Sequence, residues 1–154
     1  MRIAVGSDHA GYCLKAAIAE AVESWGYEVV DLGSNPGEMG VDYPDYARAV
    51  AQAVARGETD RGILICGTGL GVSITANKVP GIRAALCHET YTARMSRSHN
   101  NANVLCMGGW VIGVGVATDI AQVWLETPFS GVDRHQRRID KIHALESEAR
   151  HGGE

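Results

Sequence analysis

The sequence predicts an α/β fold carried by a five-stranded parallel sheet, and three observations predict it. Short apolar runs alternate with longer amphipathic stretches, the pattern that generates βαβ units. The run Ile63-Leu64-Ile65-Cys66 is apolar without alternation, as suits a strand covered on both faces. That run feeds straight into Gly67-Thr68-Gly69-Leu70-Gly71, a glycine-rich turn opening a helix.

Taken in order, Arg2 to Gly6 reads as the first strand. Leu14, Ala17, Ile18, Ala21, Val22 and Trp25 then recur at helical spacing until Gly26 stops them. Glu28 to Leu32 is the second strand. Asn35, Pro36, Gly37 and Gly40 make residues 33–42 a loop, and Pro44 suits the first turn of a helix carrying Ala47, Val50 and Val54. Ile63 to Cys66 is the third strand, Arg83 to Cys87 the fourth and Val104 to Met107 the fifth. A helix over about Tyr91 to Ser98 separates the last two, and helices near Val114 to Glu126 and Arg134 to Ala149 close the chain.

At 154 residues with 45% hydrophobic content, one domain over residues 1–149 is expected, followed by a flexible tail at 150–154. A formal charge of -4 argues against a general nucleic-acid binder, which needs excess Lys and Arg. Cys13, Cys66, Cys87 and Cys106 are widely spaced without a C-x-x-C pair, so neither a disulfide framework nor a cysteine metal site is expected. No apolar run approaches the roughly 20 residues of a membrane span, and the chain opens on a strand rather than a signal peptide. The expected compartment is the cytosol.

Ligands of open parallel sheets bind beyond the carboxyl ends of the strands, near the point where strand order reverses. Ser7, Asp8 and His9 follow the first strand, Cys66 and its glycines the third, His88 and Glu89 the fourth, and Gly108 and Gly109 the fifth. Cys66 stands at the start of a helix, where the dipole favours a thiolate, whereas nothing nearby activates the other cysteines. The glycines at 67, 69 and 71 are spaced G-x-G-x-G, not as a dinucleotide fingerprint, and offer backbone donors to an anion or enediolate. Asp8 is either an N-cap or a ligand to substrate, and His9 has no capping work to do. His99, Asn100, Asn101 and Asn103 cluster before the fifth strand, with His99 a candidate acid. Arg134, His135, Arg137, Arg138 and Lys141 crowd the start of the last helix, against the preference of the macrodipole. Arg134 and Arg138 lie one turn apart on one face and can grip a phosphate together.

A thiolate base, backbone donors, a histidine acid and paired arginines suit proton transfer beside the carbonyl of a small phosphorylated molecule. Aldose–ketose isomerisation is such a reaction. The set Gly6-Ser7-Asp8-His9-Ala10-Gly11, Asp42-Tyr43-Pro44, Cys66-Gly67-Thr68-Gly69-Leu70-Gly71, Ala76-Asn77-Lys78, Gly81-Ile82-Arg83, Ser98-His99-Asn100 and Arg134-His135-Gln136-Arg137-Arg138 closely resembles ribose-5-phosphate isomerase B and its galactose-6-phosphate isomerase relatives. The likeness runs from Arg2 to about Glu148.

The resemblance implies a Rossmann-like three-layer αβα sandwich with an extra C-terminal helix, acting on a small phosphorylated sugar without metal or cofactor. It implies Cys66 as the base, with Thr68 and the Gly67, Gly69 and Gly71 loop stabilising the enediolate. Asp8, Tyr43, His99 and Asn100 are implied to handle the sugar, His99 opening its ring from a partner subunit. His9, Arg134 and Arg138 are implied to hold the phosphate. Family members are dimeric or tetrameric, with active sites at the dimer interface. One position departs: this chain has Gly108-Gly109-Trp110 where relatives often read Gly-Ser-Arg or Gly-Gly-Arg. Trp110 either packs at a subunit interface or reshapes the pocket toward tetrose or hexose phosphates. Two other classes remain open, a nucleotide-binding module using Glu89 and a thiol redox protein with a resolving cysteine near Cys66.

Overall fold

The structure, a computed structural model, describes residues 1–151. Five strands, β1 (Arg2–Ser7), β2 (Glu28–Asp31), β3 (Arg61–Cys66), β4 (Ala84–Leu86) and β5 (Val104–Gly108), form one sheet in the order β2-β1-β3-β5-β4. Every pairing is parallel, as the alternating pattern predicts. The helices are α1 (Tyr12–Ser24), α2 (Tyr43–Ala55), α3 (Leu70–Ala76), α4 (Thr90–Ser98), α5 (Val114–Glu126) and α6 (Asp133–His151). Among the described residues no helix is long and apolar enough to cross a membrane. The tail expected at 150–154 falls on the last two residues of α6 and on 152–154, which lie outside the described residues.

The chain leaves β1 toward β2 on one side and returns through α2 toward β3 on the other. Right-handed crossovers in opposite directions put α1 and α2 on opposite faces. Side-chain alternation divides the core accordingly. Ile3, Val5, Ile63, Ile65, Leu105 and Met107 meet α1, α4 and α5, whereas Ala4, Leu64, Cys66, Val104 and Cys106 meet α2 and α3. Both faces are covered, which explains why β3 shows no polar alternation. The result is a three-layer α/β sandwich.

Burial stops short at the fourth strand, which forms only over Ala84–Leu86 at the sheet edge. Arg83 is spent instead on hydrogen bonds to Asn100 and Asn101. The helix α6 continues past the sandwich and ties to the β4 edge through Glu146, which accepts the Gly81 N–H at 3.0 Å.

Candidate functional site

Cys66 ends β3, and its side chain is 4% exposed on the α2/α3 face. It nonetheless borders a cleft of about 350 Å³, shared with Asp8, His9, Ala10, Tyr43, Gly67, Thr68, Gly71 and Trp110. The Gly69 N–H donates to Cys66 Sγ at 3.2 Å. An N–H directed at sulfur suits negative charge there. The cleft lies beyond the carboxyl ends of β1 and β3, the neighbours at which the chain changes direction across the sheet.

The three glycines of the turn serve three different purposes. Only Gly69 has positive φ, +78°, and a Cβ there would also lie 2.5 Å from Leu86 Cδ1 and 2.8 Å from the Met107 carbonyl carbon. A Cβ on Gly67 would fall 2.6 Å from Trp110 Cε3, and one on Gly71 would fall 2.5 Å from Tyr43 Cε2. Two aromatic rings are therefore laid directly on the loop, and they wall the cleft. The α3 helix begins at Leu70, so the Gly71 and Val72 amides, in its first turn, have no intrahelical acceptor. Replacement of Gly69 by Ala combines left-handed strain with a backbone clash, and should cost about 2 kcal/mol or more in a urea unfolding experiment.

Asp8, 6% exposed, accepts the Gly11 N–H at 3.0 Å on Oδ1. Asp8 is therefore not the N-cap of α1, which is Gly11 without a side-chain cap; its carboxylate closes the turn ahead of the helix. His9 has its Nδ1 buried and unpartnered beside the cleft, a state that asks for a ligand. Thr68 is exposed, and its Oγ1 accepts the Leu70 N–H at 3.3 Å. Tyr43 opens α2, with Pro44 in the first turn as expected.

The remaining predicted residues do not join them. His99 and Asn100 follow α4 and precede β5, at the amino-terminal edge of the parallel sheet, opposite Cys66. The start of α6 lies with them: the His99 and His135 rings stack at 4.2 Å, and the Ser130 N–H donates to the Ser98 carbonyl. Arg134 and Arg138 are exposed there, and the buried Arg97, two residues before His99, lies near Arg61 and Arg83. Burial, reinforced by His99, Arg134 and Arg138, pushes the buried His135 below the usual histidine range. This concentration of cationic groups has no carboxylate in ion-pair contact among the described residues. A larger hollow of about 720 Å³ between α6 and the β4 edge touches Asn100 but none of the other predicted residues.

Two sequence-level candidates have structural duties instead. Glu89 caps α4, accepting the Tyr91 and Thr92 N–H groups at 2.6 and 2.8 Å, and the Thr92 and Tyr91 donors hold its carboxyl below the usual range. It is not free to bind a ribose. His88 accepts the Gly108 N–H through Nε2 at 2.9 Å, bracing the end of β5 just ahead of the turn that carries Trp110, and burial lowers its pKa. Strand pairing also brings Cys106 onto the same sheet face as Cys66, a proximity that linear spacing hides. Complete burial pushes the Cys106 thiol far up, which unsuits it as a resolving partner.

The family model for ribose/galactose isomerases matches residues 3–142. The chain belongs to the ribose/galactose isomerase family. As a member it is an enzyme, a sugar-phosphate isomerase. It is 50% identical over 145 residues to ribose-5-phosphate isomerase B of Escherichia coli, covering 94% of this chain and 96% of that one. It is 41% identical over 151 residues to a D-erythrulose-4-phosphate isomerase of Pectobacterium atrosepticum, covering 98% and 99%. A solved ribose-5-phosphate isomerase B of Clostridium thermocellum superposes with a TM-score of 0.94 at 54% identity, covering 97% of this chain and 99% of that one. These proteins span essentially the whole isomerase chain described above.

Proposed function

We propose that this isomerase interconverts ribose 5-phosphate and ribulose 5-phosphate through an enediolate, with Cys66 as the base. The observation that carries the reading is the Cys66 thiol at a strand end, bordering the cleft and taking the Gly69 N–H on sulfur. The sulfur removes the C2 proton of the open-chain aldose, the C–H electrons form the C1–C2 double bond, and the carbonyl electrons move onto O1. The O2 proton passes to O1, and the sulfur returns a proton to C1 as the C2 carbonyl forms. No electrons enter or leave. Amides of the Gly67–Gly71 turn and the Thr68 hydroxyl stabilise the charge on O1. Asp8 and Tyr43 hold hydroxyls.

The cationic group at the opposite edge, which has no carboxylate in ion-pair contact among the described residues, completes the site from a second copy. In that arrangement His99 opens the furanose ring, Asn100 contacts the sugar, and Arg134 and Arg138 join His9 on the phosphate. A homodimer is the smallest assembly that supplies both halves. Losing either Arg134 or Arg138 to Ala should raise KM for the sugar phosphate about 10- to 100-fold with little change in kcat, since a charge-assisted phosphate contact contributes about 1.5–3 kcal/mol. Steady-state kinetics check it, and an unchanged KM would remove the pair from the phosphate site.

A second substrate is favoured by one observation. Trp110 is 76% exposed and lays an indole, with a single N–H and no charge, along the cleft wall over Gly67. That places bulk where a guanidinium would place charge, and favours a shorter sugar such as a tetrose 4-phosphate. Assay of tetrose, pentose and hexose phosphates with the same enzyme preparation decides between them. The highest kcat/KM on ribose 5-phosphate upholds the first reading, and a preference for erythrose 4-phosphate replaces it.

A further inference from the structure

The segment joining α4 to β5 is held far more tightly than its exposure requires. Asn101, directly after the exposed His99 and Asn100, has φ 47°, the only non-glycine residue with positive φ among the described residues. Asparagine tolerates this conformation better than most residues, but such a state persists where neighbours over-determine it. Arg83 does so from one side. Its Nε donates to the Asn100 carbonyl at 2.9 Å and its Nη2 to the Asn101 carbonyl at 2.9 Å. Its Nη1 lies 2.7 Å from Nε2 of His143 on α6, and because a guanidinium only donates, that nitrogen is the acceptor.

Arg97 holds the other side. It is 5% exposed and donates through Nη1 to Asn101 Oδ1 at 2.9 Å and to the Ala102 carbonyl at 2.6 Å. Neither arginine has a carboxylate in ion-pair contact among the described residues. Burial lowers both, Arg97 to about 10. Capping the end of α4 needs donors to its last carbonyls, yet Arg83 reaches beyond that duty to α6, the helix that carries Arg134 and Arg138.

We propose that Arg83 is a positioning residue: its guanidinium, braced by Arg97, locks residues 99–103 to α6 so that His99 and Asn100 are presented with Arg134 and Arg138 as one rigid unit. The proposal rests on the reading that these four complete the cleft of a second copy. The chemistry at Cys66 does not depend on it directly, which makes the effect separable.

Arg83→Lys keeps the charge but cannot span the two carbonyls and His143. Its kcat on ribose 5-phosphate, a furanose that must open, should fall about tenfold. Exchange of the C1 proton of saturating ribulose 5-phosphate with solvent deuterium, which needs Cys66 but no ring step, should stay within about twofold. Combining Arg83→Lys with His99→Ala should be no slower than His99→Ala alone, because both changes remove one function. Equal losses in the two assays, or additive losses in the double variant, overturn the proposal. Should Arg83→Lys fold poorly, Asn101→Ala disturbs the same backbone with the same selective loss expected, while Asn101→Gly, which loses the Arg97 contact equally but tolerates the positive φ, should lose clearly less; equal behaviour of Ala and Gly overturns it. A His99→Ala variant with undiminished ribose turnover would remove the reading of His99 and this proposal with it, whereas failure of Arg83 alone leaves His99 in place.

Discussion

Cys66→Ala should lower isomerisation by up to about 10⁴-fold, the full worth of a positioned base, while leaving the fold in place. The substitution deletes one buried atom from a side chain packed among Leu64, Val72 and Cys106, at a stability cost of about 1 kcal/mol. Melting by circular dichroism should therefore shift only a few degrees, and calorimetry should still register sugar-phosphate binding, since the phosphate contacts and both aromatic walls remain. Deuterium from solvent should cease to enter C1 of ribulose 5-phosphate. Retained turnover in this variant would place the base elsewhere and leave the thiol as a small core residue.

The second large effect concerns division of labour between copies. His99→Ala should lose about 10²-fold in kcat on ribose 5-phosphate. If each site takes Cys66 from one subunit and His99 from the other, unfolding and refolding Cys66→Ala and His99→Ala chains together in equal amounts yields mixed dimers with one intact site and one doubly disabled site. With random pairing about a quarter of wild-type turnover should return. Activity that stays at the sum of the two parents would show that both groups act within one chain. The separation by the full height of the sheet makes that outcome hard to reconcile with the geometry.

Much of this architecture was legible because hydrophobic periodicity reports burial directly. The helix at Val114–Glu126 matches its expected bounds, and the uninterrupted apolar run of β3 correctly signalled a strand covered twice. The fourth strand was read one residue too long at each end: Arg83 and Cys87 flank Ala84–Leu86 and still share backbone hydrogen bonds with the β5 side, but the regular ladder covers only the three residues between them. Roles that depend on a partner across space were less visible. Three glycines in a row of five look like one device, and nothing in their spacing distinguishes Gly69, which needs its φ, from Gly67 and Gly71, which make room for Trp110 and Tyr43. Glu89 stood at a plausible distance for a ribose acid, but a carboxylate preceding a helix has first claim on that helix's amides. Ordering His99 onto the edge opposite Cys66 required only the parallel sense of the sheet, a signal present in the sequence once the strands had been placed.

The strand order carries a consequence for biogenesis. Because β5 sits between β3 and β4, the floor beneath the glycine turn is a late arrival: Gly108 pairs with Cys66 across a long intervening stretch, and Trp110 follows it. A nascent chain emerging from the ribosome can assemble β1, β2 and β3 early, yet it holds an open slot beside β3 until the fifth strand slides in. The cleft therefore lacks one wall until β5 has been made, and this pairing, like that of β1 with β3, joins residues far apart in sequence and is expected to slow folding more than any helix does.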